Sequence, residues 1–118
     1  MPRDREAADS FRFNTAVVCR VANSFGDKSS FEQPVGAAPV DVARCRHEFE
    51  RLVDVLRAGA GLDVVELPSD EQQPDGVFVG DIAVVIGGTA LICNPPSFKN
   101  RPPRHGEVSQ IRNFVKVL

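Results

Sequence analysis

The sequence predicts an α/β fold, and three features predict it. Residues 15–21 (TAVVCRV) are a nearly continuous β-branched, apolar run, which reads as a strand. Residues 40–59 carry apolar side chains at spacings of three and four, the period of an amphipathic helix. Residues 62–67 (LDVVEL) are a second strand-like run. Strand, helix and strand in that order suggest a crossover unit of a parallel sheet, right-handed by rule.

Each element has its own warrant. Residues 1–12 lack apolar periodicity and are expected to be a disordered arm ahead of a domain at 13–118. The first strand is apolar almost throughout, which favours a buried strand over an edge strand. Residues 22–39 are a polar connection containing Gly26, Pro34, Gly36 and Pro39. A connection of that length is functional or disordered more often than it is a plain joint. In the helix, Val42, Cys45, Phe49, Leu52, Val53 and Leu56 make one stripe. Asp41 suits its N-terminal end, where the helix dipole is positive. Gly59 and Gly61 suit a left-handed stop.

After the second strand, residues 68–76 (PSDEQQPDG) are an acidic turn region and residues 77–79 (VFV) a short strand leading to Gly80 and Asp81. Residues 82–86, the pair Gly87-Gly88 and residues 89–93 read as a hairpin, with both glycines supplying positive φ to a tight primed turn. Four prolines in residues 94–106 exclude a helix and a central strand there. Residues 107–118 begin another amphipathic helix, with Val108, Ile111, Phe114, Val115 and Leu118 on one face. It has no glycine, asparagine or proline stop, so Leu118 reads as a truncation point. The competing reading is a natural terminal helix.

Composition excludes several function classes. A formal net charge of −2, with no basic stripe, gives no nucleic-acid partner. No apolar run is long enough to span a membrane, and the charged N-terminus lacks the core of a signal peptide, so a cytoplasmic location is expected. Cys19, Cys45 and Cys93 are odd in number and widely spaced, which argues against a disulfide framework. No tetrahedral ligand set surrounds Cys45 and His47, so no metal and no cofactor are expected.

Four segments resemble the dimethylargininase (dimethylarginine dimethylaminohydrolase) family of guanidine-modifying enzymes. They are Ala16-Val17-Val18 with Asn23-Ser24-Phe25; Val40-Asp41-Val42-Ala43-Arg44; Gly61-Leu62-Asp63-Val64-Val65-Glu66-Leu67-Pro68; and, most specific, Pro74-Asp75-Gly76-Val77-Phe78-Val79-Gly80-Asp81-Ile82-Ala83-Val84-Val85 with Thr89-Ala90-Leu91-Ile92. Arg104 and Glu107-Val108 resemble the basic loop and helix start that follow. The likeness covers nearly all of this chain but well under half of a family chain. It implies a five-module α/β propeller, of which this chain would supply the first module and the start of the second. The implied reaction converts Nω-methylated arginines to citrulline and a methylamine, removing inhibitors of nitric oxide synthesis. The implied partner is therefore a small-molecule substrate, a methylated arginine.

A guanidinium carbon sits in a delocalised cation, and carboxylates fix such a cation through paired, charge-assisted hydrogen bonds. The resemblance makes Asp81 the first candidate for that task and Asp75 the second. It makes Phe78 an apolar wall and Arg104 the partner of the substrate's α-carboxylate, a role suited to a planar fork. It places Phe31 near a lid loop. Read alone, Asp75 in Gln-Pro-Asp-Gly is ordinary turn chemistry, Asp81 equally suits a strand end, Arg104 a solvated loop and Phe78 the core. Gly80 departs from the family, which usually has glutamate there. That loss should weaken substrate fixation or alter preference.

The family's nucleophilic cysteine and proton-transferring histidine are expected beyond Leu118. Cys19 and Cys93 lie in apolar strands, where burial disfavours a thiolate. His47 and His105 match no catalytic motif and read as a solvent-facing and a loop residue. Two readings follow. One is the N-terminal piece of a hydrolase, inactive alone. The other is a non-catalytic short form acting as a binding fragment, self-associating through unpaired strand edges.

Overall fold

The computed structural model describes residues 13–28, 35–95 and 104–117. Strand β1 (Thr15–Cys19) pairs in parallel with β2 (Asp63–Leu67), in a register that sets Thr15 opposite Asp63 and Cys19 opposite Leu67. Side chains two apart share a face of a strand. Val17, Cys19, Val65 and Leu67 thus form one face, and all four belong to the main hydrophobic cluster. Among the described residues β2 is the one strand paired with β1. The expectation of a strand with neighbours on both sides is therefore corrected, although its apolar face is covered.

The long connection after β1 holds a short helix, α1 (Phe25–Lys28). Helix α2 (Val42–Asp54) begins where Asp41 accepts a hydrogen bond from the Arg44 amide at 3.0 Å. Such a side-chain cap satisfies a helical N–H that has no partner within the helix. The helix passes into a π-helical turn, Val55–Gly59. Gly61, not Gly59, takes the left-handed conformation that reverses the chain, at φ +67°. The predicted apolar stripe of α2 is only partly covered: Val53 is buried, whereas Leu52 remains 52% exposed.

The strand predicted at 77–79 is absent. Phe78 donates to the Asp75 carbonyl, and a 3-10 turn follows over Val79–Asp81. Pro74 and Gly76 commit this segment to turns, and three residues offer too few ladder bonds to oppose them. The hairpin is β3 (Ala83–Ile86) with β4 (Thr89–Ile92), antiparallel and separate from the β1–β2 sheet. Only Gly87 of its two turn glycines takes positive φ, at +57°. That matches a turn needing it at the first central position alone.

Helix α3 (His105–Val117) starts two residues earlier than predicted, so His105 is helical and not a loop residue. The core gathers Cys19, Leu67, Ile82, Val108 and Ile111, joining the sheet face, the 3-10 turn and α3. The fold is mixed α/β, and the described residues form two small sheets with no closed ring. Residues 1–12 and Phe31 lie outside the described residues.

Candidate functional site

The tight turns at 74–81 and the start of α3 meet at one guanidinium. Arg104 donates from Nε to Glu107 Oε2 at 2.8 Å and from Nη2 to Glu107 Oε1 at 2.7 Å. This is a two-pronged pair, in which both carboxylate oxygens match the planar fork. Nη1 donates to Asp81 Oδ2 at 2.7 Å. Nη2 also donates to the backbone carbonyls of Asp75 and Phe78, each at 3.2 Å. One side chain thereby joins the 75–78 turn, the 3-10 turn and the first turn of α3.

Exposure differs across this cluster in a way that assigns different tasks. The side chains of Arg104 and Glu107 are 13% and 5% exposed, whereas that of Asp81 is 58% exposed. The hydrogen bonds and charges of Glu107 and Asp81 hold the Arg104 guanidinium still more firmly protonated than usual, Glu107 contributing most and burial opposing. Asp81 therefore presents a carboxylate to solvent while Arg104 fixes its Oδ2 from behind.

Asp75 is buried, at 2% exposure. Phe78 is exposed, at 38%, and its ring centroid lies 5.9 Å from that of Phe25, tilted by 59°. Such a pair stiffens an aromatic wall. Gly80 is exposed, and a Cβ there would meet no heavy atom within 4 Å. It lies on the rim of an apolar groove of about 530 Å³ that also touches Phe13, Val17, Val85, Ile111 and Phe114. Arg104 thus meets the Asp81 side chain and the backbone carbonyls of Asp75 and Phe78, whereas Gly80 lines the groove, which none of the other four residues lines. Phe31 falls outside the described residues.

Two participants were missed from the sequence. Glu107 was read as the start of a helix, yet it is the principal partner of Arg104; the signal was the Arg-x-x-Glu spacing, one helical turn apart. Phe25 lies in a segment that resembles the family, yet its contact with Phe78 gave no signal, because that partner is far away in sequence. It is held by a second cluster. Glu71 accepts from the amides of Asn23 and Ser24 at 2.9 and 2.8 Å, and these bonds lower its carboxyl below the usual 4.5. Arg46 of α2 donates to the Val21 carbonyl at 3.4 Å and to Asn23 Oδ1.

The three cysteines are unpaired. Burial pushes the Cys19 thiol up to about 11, with the Glu107 and Asp70 charges adding to it. Cys19 is therefore a neutral thiol near pH 7 and a poor nucleophile. Among the described residues no group of three or more His, Cys, Asp or Glu could hold a metal, and no helix is long and apolar enough to cross a membrane.

The backbone arrangement that carries this site is also found in solved structures. A dimethylarginine dimethylaminohydrolase variant, in adduct with S-methyl-L-thiocitrulline, superposes with TM-score 0.75 and 24% identity over 90% of this chain and 39% of its own. A cysteine-to-serine variant of the Pseudomonas aeruginosa enzyme, complexed with citrulline, gives TM-score 0.74 and 26% identity over 91% of this chain and 39% of its own. The chain thus has the α/β fold of the N,N-dimethylarginine hydrolases over the part it spans.

No protein-family model matches the chain. Bovine "Putative hydrolase DDAH2" is 40% identical over 83 residues, covering 70% of this chain and 28% of that protein. The human protein of the same name is 39% identical over the same length. The chain is related to the dimethylargininase family, and it spans less than a third of these curated relatives.

Proposed function

We propose that this chain supplies the guanidinium-binding part of a dimethylargininase-type hydrolase, which converts Nω-methylated arginines to citrulline and methylamines. The observation that carries the reading is the exposed carboxylate of Asp81, held on one oxygen by buried Arg104. Its free approach side suits two N–H groups of a planar cation. Phe78 supplies an apolar wall beside it. Buried Asp75 contributes through the turn it builds. Arg104 directs Nε and Nη2 inward and gives Nη1 to Asp81, so a substrate α-carboxylate would share the Nη1 edge with Asp81.

The chemistry needs two further groups, a cysteine and a histidine, supplied from beyond Leu118. The thiolate adds to the guanidinium carbon, and the methylamine leaves with a proton from the histidine. Water then displaces the sulfur, giving citrulline and the free thiolate. The residues of this chain hold the cation in place during both steps and keep it positive. The 118-residue chain alone binds but does not turn over. The reaction takes place in the cytoplasm and removes inhibitors of nitric oxide synthesis.

A second reading has its own observation. Val84, Val85, Ile86 and Leu91 of the hairpin are each about half exposed or more, beside the 530 Å³ apolar groove. A short form would use this surface and its strand edges for association. The deciding measurement is the mass of the native protein in its source, captured through an epitope within residues 40–80, with citrulline release assayed on the same material. A species more than twice this size that releases citrulline from dimethylarginine supports the hydrolase. A species of this size alone, without turnover, replaces it with the binding form.

A further inference from the structure

We infer that Glu107 is a positioning residue for the guanidinium-binding carboxylate, acting on Asp81 through Arg104. The inference rests on the reading of Asp81 given above and adds to it a residue that touches no substrate. Glu107 gives both oxygens to Arg104, at 2.8 and 2.7 Å, from a side chain only 5% exposed. It is thus turned wholly inward. Asp81 touches the opposite edge of the same guanidinium, through Nη1 at 2.7 Å.

The physics of the chain of contacts is directional. A guanidinium that is 13% exposed needs a buried counter-charge, because taking an ion out of water is costly unless it is paired. Glu107 is that counter-charge. It stands in the first turn of α3, where a negative side chain also meets the positive end of the helix dipole. Asp81 cannot substitute for it, since its carboxylate is mostly hydrated. Without Glu107, Arg104 has every reason to unwind its flexible stem toward solvent. The carbonyls of Asp75 and Phe78 then lose the donor that holds the 75–78 turn. Asp81 loses the contact that fixes its rotamer before ligand arrives. Ligand binding must afterwards order that side chain itself, which weakens affinity.

The test uses the isotope-labelled 118-residue chain titrated with Nω,Nω-dimethylarginine. Glu107→Gln is expected to weaken binding about tenfold, or about 1.4 kcal/mol. In an Asp81→Asn background the same substitution should change affinity less than twofold, because its effect runs through Asp81. The Arg104 Nε–H signal should exchange slowly in the parent and should move and exchange rapidly in Glu107→Gln. If Glu107→Gln does not fold, Glu107→Asp keeps the counter-charge but withdraws it from Arg104 by one methylene. It is expected to fold and to weaken binding about fourfold, an effect that should again vanish in the Asp81→Asn background. Binding by the parent that Asp81→Asn does not weaken, or no binding by the parent, overturns the site reading and the inference together. Asp81-dependent binding that either Glu107 variant leaves within twofold overturns the inference alone. Equal losses in both backgrounds do the same.

Discussion

Replacing Gly80 with glutamate tests whether the proposed guanidinium site lies beside Asp81. Gly80 sits in the Val79–Asp81 turn, its φ is outside the left-handed region, and a Cβ there meets nothing within 4 Å. A side chain should therefore fit without strain. Removing a glycine from such a position stabilises by about 0.4–1 kcal/mol, by restricting the unfolded chain. The new carboxylate would stand beside Asp81 at the rim of the apolar groove. Its worth to a bound guanidinium lies between two limits. An exposed ion pair gives about 0.2–1 kcal/mol, and a hydrogen bond to a charged group about 1.5–3 kcal/mol. Gly80 is exposed, so a value of about 1 kcal/mol is appropriate, which is about a fivefold gain in affinity. Calorimetric titration of Nω,Nω-dimethylarginine at fixed ionic strength measures it, with urea denaturation run in parallel. Added salt should shrink the gain. Unchanged or weaker affinity in a variant of undiminished stability would refute the placement of Gly80 beside the cation. A loss of stability would refute the argument from open space.

Four other outcomes are expected. Ile82 is 1% exposed in the core, so Ile82→Ala should cost about 2–5 kcal/mol, read as a lower urea midpoint at unchanged slope. Iodoacetamide at pH 8 should label Cys45 and Cys93 well before Cys19, and urea should abolish the difference; equal labelling in the folded chain would contradict its burial. Because the folded Cys19 thiol is raised from 9.0 to about 11, its contribution to stability is intact below pH 9 and lost as pH rises from 9 towards 11. Glu71 shifts the other way, so its tie to Asn23 and Ser24 is intact above the usual 4.5 and lost as pH falls below it. Amide exchange at those two residues should lose protection on acidification, and a flat profile would deny the tie.

The elements with a local period were legible in the sequence. Apolar, β-branched runs wrote β1 and β2, and the three-four spacing wrote α2 and α3. What local pattern could not say was which faces find partners. Leu52 belongs to the α2 stripe by spacing, yet half of it meets solvent, because no surface among the described residues covers it. The 77–79 run has strand residues, but strand propensity is decided by neighbours, and the Pro74–Gly76 turn left it none. In the site, the carboxylates and Arg104 were legible only through likeness to a family, since each is an ordinary turn or loop residue alone. The inward pairing of Arg104 depended on where α3 starts, and helix boundaries are the part of a fold that sequence specifies least. The Phe25–Phe78 contact joins segments more than fifty residues apart and leaves no local trace.

The parallel register of β1 and β2 also sets a timetable for synthesis. Thr15 and Asp63 are 48 residues apart, and ribosomes add about 5–20 residues per second. The first strand therefore waits roughly 2–10 s for its partner, given that rate. The hairpin of β3 and β4 needs no such delay: its strands are joined by two residues, and hairpins close in about 1–10 μs. The chain thus completes a later piece almost as soon as it emerges, while its earliest β-branched segment stays open to any passing strand or chaperone. Slow codons placed between the two strands would lengthen that exposure, and fast ones would shorten it.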